Sequence, residues 1–414
     1  MNLLEELEAR GLVDALTDPG IGKALERPMT VYCGFDPSAR SLQAGNLVSM
    51  IVLRRFQLAG HRVIALVGGA TGLIGDPSGK SAERNMLTVA QVEENKRGIR
   101  ENLSRVLDFD GPNAAVMVDN YEWYKGISAI EFLRDIAINF RVPQMLAKES
   151  VKKRLEASEG ALTFTEFSYQ ILQGNDFLHL FDGYGCRLEV GGADQWGNIT
   201  AGTDLVRKMR GETAFGLTFP LLLDSSGRKF GKSEGNALFL DASMTPVFDW
   251  YQYFLRAADA DVIRYLKVFS MRPLDEIAGL EAEMAAHPEA RVPQKALAEE
   301  LTRLVHGEEG LARARAATEA LYSKKSPSDA ANSADVPSAA VRAEDCIGKP
   351  VFAVAAEAGM FKSKGEARRM ARQGGLSLNG EKIDDARLFA AGDVADGGVA
   401  VLRSGKKNYF VLRF

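Results

Sequence analysis

The segment TFTEFSYQILQGNDFLHL holds the first side chains whose spacing suggests chemistry. Thr163 and Glu166 have the separation of a capping box, which predicts a helix starting near Thr163. On that helix Tyr169, Gln173 and Asp176 fall at i, i+4 and i+7, so a phenol, an amide and a carboxylate share one face. Phe167, Ile171 and Leu178 put apolar surface around them. Polar groups on a buried helix need partners. A self-satisfied polar stripe fits the same spacing, and spacing alone leaves both readings open.

Three further segments carry charge or amides in glycine-rich surroundings. GGATGLIGDPSGKS offers backbone N–H groups, Asp76 for an ammonium, and Lys80 and Arg84 for phosphate oxygens. It is not a Walker loop: Ile74 stands where that motif needs glycine before Gly79, and GxGxxG is also absent. RKFGKSEGNA places Lys229 and Lys232 around a glycine, with Arg228 and Ser233 beside them. Cations on a mobile segment can oppose the charge that develops on departing pyrophosphate. In VGGADQWGNITAG, Gly191 and Gly192 precede Asp194, Gln195 and Asn198, groups suited to ribose hydroxyls or an amino-acid backbone. Each segment by itself also reads as an exposed charged turn or a helix cap.

The elements that must position these groups follow from hydrophobic patterning. MTVYCGF and RVIALVGG are short β-branched runs that end in glycine or turn residues, with the helical GNLVSMIVLRRFQLAG between them. This βαβ unit predicts an α/β fold with a parallel sheet, its ligands beyond the C-terminal strand ends. Helical periodicity takes over from about Thr245 to Tyr322, and SKKSPSDAANSADVPSAAV then reads as a mobile tether. With the family resemblance set out below, the expected division is a Rossmann-type catalytic domain over 1–222, a helical domain over 223–322, a linker over 323–345 and a small α+β RNA-binding domain over 346–414.

Composition narrows the class. Hydrophobic residues make up 46% and charged residues 26% of 414, as expected for a multidomain globular enzyme. The N-terminus lacks a basic leader followed by an apolar run, and no stretch reaches a membrane span. Cys33, Cys186 and Cys346 are widely spaced and odd in number, so no disulfide framework or metal site is expected, and a reducing cytoplasm fits. The net charge of -4 is uneven: residues 347–414 hold 12 Lys+Arg against 7 Asp+Glu, a surplus of +5 that leaves -9 for the rest. That asymmetry points to a basic, nucleic-acid-binding C-terminus.

Taken in order, YCGFDPSARSLQAGN, GGATGLIGDPSGKSAERN, DNYEW, TFTEFSYQILQGNDF, GGADQWGN and KFGKS resemble the bacterial tyrosyl-tRNA synthetase family over essentially the whole chain. FKSKGEARRMARQGGLSLNGEKIDD resembles the small RNA-binding fold shared with a ribosomal small-subunit protein. The resemblance implies a homodimeric class I ligase acting on L-tyrosine, ATP and tRNA(Tyr), with Mg2+ accompanying ATP and no tightly bound cofactor. It implies that Tyr32 and Asp176 bond the substrate phenol, with Asn120 and Trp123 supporting that pocket. Asp76, Tyr169 and Gln173 would hold the ammonium group, and Gln195 the carboxyl end. Cys33 and Asp194 resemble ribose contacts, with Gly34, Asp36, Gly45, Gly191 and Gly192 on the nucleotide side. Ser38, Gln43 and Asn46 stand as phosphate-side donors, and Lys80, Arg84, Lys229, Lys232 and Ser233 as the mobile catalytic groups.

The HIGH signature of class I enzymes reads Gln43, Ala44, Gly45, Asn46, so both histidines are replaced by amides. Amides still donate hydrogen bonds to phosphate charge, which predicts an active enzyme without a histidine-linked activation step. A synthetase-derived RNA-binding protein weakened in catalysis is the alternative.

Overall fold

The computed structural model describes residues 1–78, 87–156, 162–233, 236–322, 336–395, 397–405 and 408–414. The chain divides into two compact units, Met1–Met244 with Arg256–Val305, and Thr245–Leu255 with His306–Phe414.

The first unit is built on a six-stranded sheet of β1 (Ala15–Leu16), β2 (Thr30–Phe35), β3 (Arg62–Val67), β4 (Val116–Asp119), β5 (Cys186–Gly192) and β6 (Phe215–Phe219), in the order β1-β6-β5-β2-β3-β4. Strands β2 to β6 run parallel, and β1 closes one edge antiparallel to β6. The connections step outward from β2 to β3 and β4 on one side, and from β5 to β6 on the other. Order therefore reverses between β2 and β5, where a crevice opens at the carboxyl ends of an open α/β sheet.

Helix α1 (Leu47–Leu58) crosses from β2 to β3 and buries Leu47, Val48, Met50, Ile51, Val52, Leu53 and Phe56. Helix α2 (Phe164–Tyr184) starts as the capping box requires: Glu166 N–H donates to Thr163 Oγ1 at 3.2 Å, and the Glu166 carboxylate accepts from Thr163 N. It ends at Gly185 in the left-handed conformation. Helix α3 (Trp196–Arg210) packs along α2, and Phe177, Leu178, Leu180, Leu205 and Val206 form one cluster with Tyr32, Ile64 and Leu66. Burying a ring such as Phe177 contributes about 2–3 kcal/mol. Phe177 also meets Tyr32 edge to face at 5.2 Å, which fixes the position of the Tyr32 ring.

The second unit contains a five-stranded sheet of β9 (Ser338–Ala340), β10 (Leu376–Leu378), β11 (Glu381–Ile383), β12 (Val399–Ser404) and β13 (Asn408–Arg413), in the order β11-β10-β12-β13-β9. Val351, Val354 and Ala355 of one helix and Ala371 of another pack on Leu376, Leu378, Leu402 and Leu412. Two findings bear on the expected division. Residues 338–340 pair with β13, so this sheet begins inside the stretch read as a tether, of which 323–335 lies outside the described residues. The long helix Val292–Tyr322 is also interrupted at Gly307, with φ 72°, and the two compact units divide beside that break. Helical periodicity did not register this, because a single glycine leaves the apolar pattern intact.

Candidate active site

A cavity of about 340 Å³ lies at the reversal point, between the ends of β2 and β5 and under α2. Tyr32, Asp76, Tyr169, Gln173, Asp176 and Gln195 all line it, as do Cys33, Gly34, Asp36, Ser38, Gly45, Asn46, Gly191, Gly192, Asp194 and Lys229. Gln43, Asn120 and Lys232 do not form its wall. Lys80, Arg84 and the Ser233 side chain lie outside the described residues.

Asp176, 2% exposed, anchors one end. Its Oδ1 accepts from Trp123 Nε1 and its Oδ2 from Asn120 Nδ2, both at 2.9 Å. Asn120 is itself held, accepting from Ala70 N at 2.7 Å, and Trp123 stacks on His179 with centroids 4.2 Å apart. Burial pushes the Asp176 carboxyl up to about 8, against the pull of the donors from Asn120, Trp123 and Tyr124. Beside it the Tyr32 hydroxyl is buried, acted on by both Glu189 and Asp176 but without a partner in full hydrogen-bonding geometry.

The middle of the cavity is a chain of acceptors. Tyr169 Oη donates to Asp36 Oδ2 at 2.8 Å, and Thr71 Oγ1 donates to Asp36 Oδ1 at 2.7 Å. Asp76 accepts from Gln195 Nε2 at 2.7 Å and from Ser78 N at 2.9 Å, while Asn198 Nδ2 donates to Gln195 Oε1 at 3.1 Å. Gln173 Nε2 donates to Glu189 Oε1 at 2.8 Å. The glycines preceding Thr71 are needed for clearance: a Cβ on Gly68 would meet Asp36 Oδ1 at 2.1 Å.

At the other end the Gln43–Asn46 turn is stapled by Gln43 N donating to Asn46 Oδ1 at 3.0 Å. The lysine-bearing segment rests on this turn. Ala44 N donates to Leu238 O at 2.8 Å, Leu240 N to Leu42 O at 2.9 Å, and Gln43 bridges Phe239. Gly231, at φ 77°, makes the approach possible, since a Cβ there would lie 3.0 Å from Ala44 Cβ in a strained backbone region. Lys229 reaches the cavity wall near Asp194, whose carboxyl is pushed up by burial and by Asp76 while Lys229 opposes the shift. Lys232 is exposed, at the start of the two-residue strand β7 (Lys232–Ser233) that pairs with β8 (Asn236–Ala237). Cys33 is a buried thiol pushed up to about 12, so it stays neutral.

Among the described lining residues, Asp36, Asp76, Asp176, Glu189 and Asp194 face a single cation, Lys229. Such a cavity suits an ammonium-bearing ligand at its centre. A polyphosphate fits only toward the lysine-bearing end.

Comparison with known proteins is consistent with this geometry. The family described as tRNA synthetases class I (W and Y) matches residues 23–323, and the tyrosine-tRNA ligase SYY-like C-terminal domain matches 329–412. A tyrosine-tRNA ligase of Bacillus caldotenax is 47% identical over 428 residues, covering 100% of both chains, and that of Protochlamydia amoebophila is 46% identical over 420 residues, covering 100% of this chain and 99% of its own. The chain belongs to the tyrosine-tRNA ligase family of class I. Among solved structures, a C-terminally truncated mitochondrial tyrosyl-tRNA synthetase of Aspergillus nidulans superposes with TM-score 0.70 at 29% identity, covering 78% of this chain and 94% of its own.

In this ligase fold three polar residues of the cavity wall escaped the sequence reading, Ser49, Thr71 and Glu189. Glu189 sits in RLEV, a strand-like run in which a lone glutamate carries no signal of its own. The strand is central and parallel, so both its faces are covered. Nothing local marked Thr71. The ligase's four histidines, His61, His179, His287 and His306, all lie off the cavity wall.

Proposed function

We propose that the protein activates L-tyrosine with ATP and transfers it to the terminal adenosine of tRNA(Tyr). The observation that carries this reading is the joint presence of Tyr32, Asp176, Asp76 and Lys229 around one cavity at the sheet's reversal point. Tyr32 and Asp176 take the phenol, Asp76, Tyr169 and Gln173 the ammonium, and Gln195 the carboxyl end. Cys33 and Asp194 face the ribose. Ser38, Asn46 and Gln43 serve the phosphate side with Lys229 and Lys232, and the sequence gives Lys80 and Arg84 the same role.

In the first step a tyrosine carboxylate oxygen forms a bond to the α-phosphorus, and the bond from that phosphorus to pyrophosphate breaks. The nucleophile is already anionic, so positioning and charge stabilisation carry the catalysis without a side-chain base. In the second step a ribose hydroxyl of the tRNA attacks the tyrosyl carbonyl and AMP leaves. Among the described residues no group of three His, Cys, Asp or Glu side chains is arranged to hold a metal ion. Mg2+ would accompany the triphosphate, where it neutralises phosphate charge.

Three features support the remaining assignments. The helix Lys364–Arg372 exposes Lys364, Arg368, Arg369 and Arg372, cations suited to an RNA backbone. No described helix is long and apolar enough to cross a membrane, and the three cysteines are free and buried, in keeping with a cytoplasmic setting. Large apolar side chains at Ile130, Leu133, Ile138, Val142, Leu146 and Phe164 are exposed within one stretch of chain, an interface composition that supports a homodimer. Leu133→Glu combined with Ile138→Glu should convert dimer to monomer in sedimentation at micromolar protein; an unchanged dimer would place the interface elsewhere.

The activity itself is tested by tyrosine-dependent ATP–pyrophosphate exchange run beside charging of tRNA(Tyr). Both should proceed. Binding of the tRNA without any exchange would instead favour the RNA-binding alternative.

A further inference from the structure

Glu189 of β5 lies opposite Tyr32 of β2 in the strand register. It is 2% exposed and lines the same end of the cavity as Asp176. Its Oε1 is taken by Gln173, but its Oε2 and the neighbouring Tyr32 hydroxyl have no partner in full hydrogen-bonding geometry. None of the groups bearing on the Glu189 charge is basic: burial, Gln173 and Tyr32 act on it. Asp176 is close enough that Glu189 disfavours its charge. Two carboxyl groups thus flank the Tyr32 hydroxyl in a pocket where an unpaired polar atom costs more than a bond gains.

Resting on the function proposed above, we propose that Glu189 and Asp176 share one proton and terminate a continuous hydrogen-bond chain through Tyr32 and the substrate phenol, which makes Glu189 a specificity-determining residue acting through Tyr32. The count of hydrogens requires this. The chain Glu189–Tyr32–phenol–Asp176 has three links, and the two hydroxyls supply two hydrogens. A single carboxyl proton completes it in either direction. With no such proton one link is left as two facing oxygen lone pairs, and with two protons one hydrogen has no acceptor in the chain. Phenylalanine, without the hydroxyl, breaks the chain in every protonation state.

Burial holds Glu189 at about 7 and Asp176 at about 8, so the shared-proton state is available near neutrality. The other titratable groups facing Glu189 are Tyr32 and Cys33 of β2 and Cys186 of β5, all pushed upward by burial and silent in this range. The sign follows. Below both values the two carboxyls are protonated, above both they are ionised, and tyrosine recognition weakens either way. Phenylalanine carries the same ammonium and carboxylate, so the ratio of kcat/KM for tyrosine over phenylalanine isolates the chain from titration of those groups.

The test is pyrophosphate exchange with both amino acids from about pH 6 to 8.5. In the native protein the ratio should pass through a maximum and fall about tenfold toward either extreme. Glu189→Met should lower the ratio at the maximum about tenfold, with the loss in tyrosine KM rather than kcat. Glu189→Gln supplies a permanent N–H donor to Tyr32, so it should keep the ratio high at alkaline pH and retain only the acid fall as Asp176 takes up its proton. A native ratio that is flat with pH, an alkaline fall that survives Glu189→Gln, or a Glu189→Met ratio equal to the native one would each overturn the proposal. Absence of tyrosine-dependent exchange in the native protein would instead remove the function on which it rests.

Discussion

Replacing Asp176 by asparagine is expected to lower kcat/KM for tyrosine by about 10²–10³, among the largest single effects at this site. The carboxylate accepts from Asn120 Nδ2 on one oxygen and from Trp123 Nε1 on the other. An amide has one oxygen and one N–H2, so in either orientation it turns a donor toward a donor. The phenol then loses its carboxyl partner in a buried site, which costs about 2–5 kcal/mol. Phenylalanine makes no such bond, so its kcat/KM should fall far less and the preference for tyrosine should collapse with it. Tyrosyl enzymes as a class reject phenylalanine by about 10⁵ without editing; that magnitude belongs to the family and is not obtained from this geometry. Steady-state exchange with both substrates checks the result, and an equal loss for tyrosine and phenylalanine would mean that Asp176 serves the fold alone.

Lys229→Ala and Lys232→Ala should each slow adenylate formation by about 10²–10³, with little change in tyrosine KM. Lys229 is the lone cation among the described residues of the cavity wall, and Lys232 follows Gly231 on the segment that rests against the Gln43–Asn46 turn. Their ammonium groups act where charge grows on pyrophosphate, far from the phenol end. Single-turnover measurement of the activation step separates this from binding. A loss confined to tyrosine affinity would show that the lysines shape the pocket and do not assist the departing group.

Much of this was legible in the sequence for identifiable reasons. The Thr163–Glu166 box and the i, i+4, i+7 spacing fixed both the start of α2 and the face that Tyr169, Gln173 and Asp176 share. The βαβ pattern located β2, α1 and β3, and with them the end of the sheet where the cavity opens. What stayed hidden depends on contacts between distant segments. The resemblance put Trp123 beside the pocket, but that its Nε1 bonds Asp176, 53 residues away, shows only in the fold. Glu189 carries no local signal until β5 proves to lie between β6 and β2, with Tyr32 opposite. The pairing of the Gln43–Asn46 turn with the lysine segment spans nearly 200 residues, and only Gly231 hints at it.

The way Asp176 is braced also bears on how such a pocket can change. Its acceptor atoms are fixed by donors from Asn120 and Trp123, and Asn120 is fixed in turn by the backbone at Ala70. An attempt to retune the enzyme toward another amino acid one substitution at a time would strand those donors at the first step. Repurposing by drift or by design would therefore go furthest where several of these positions move together.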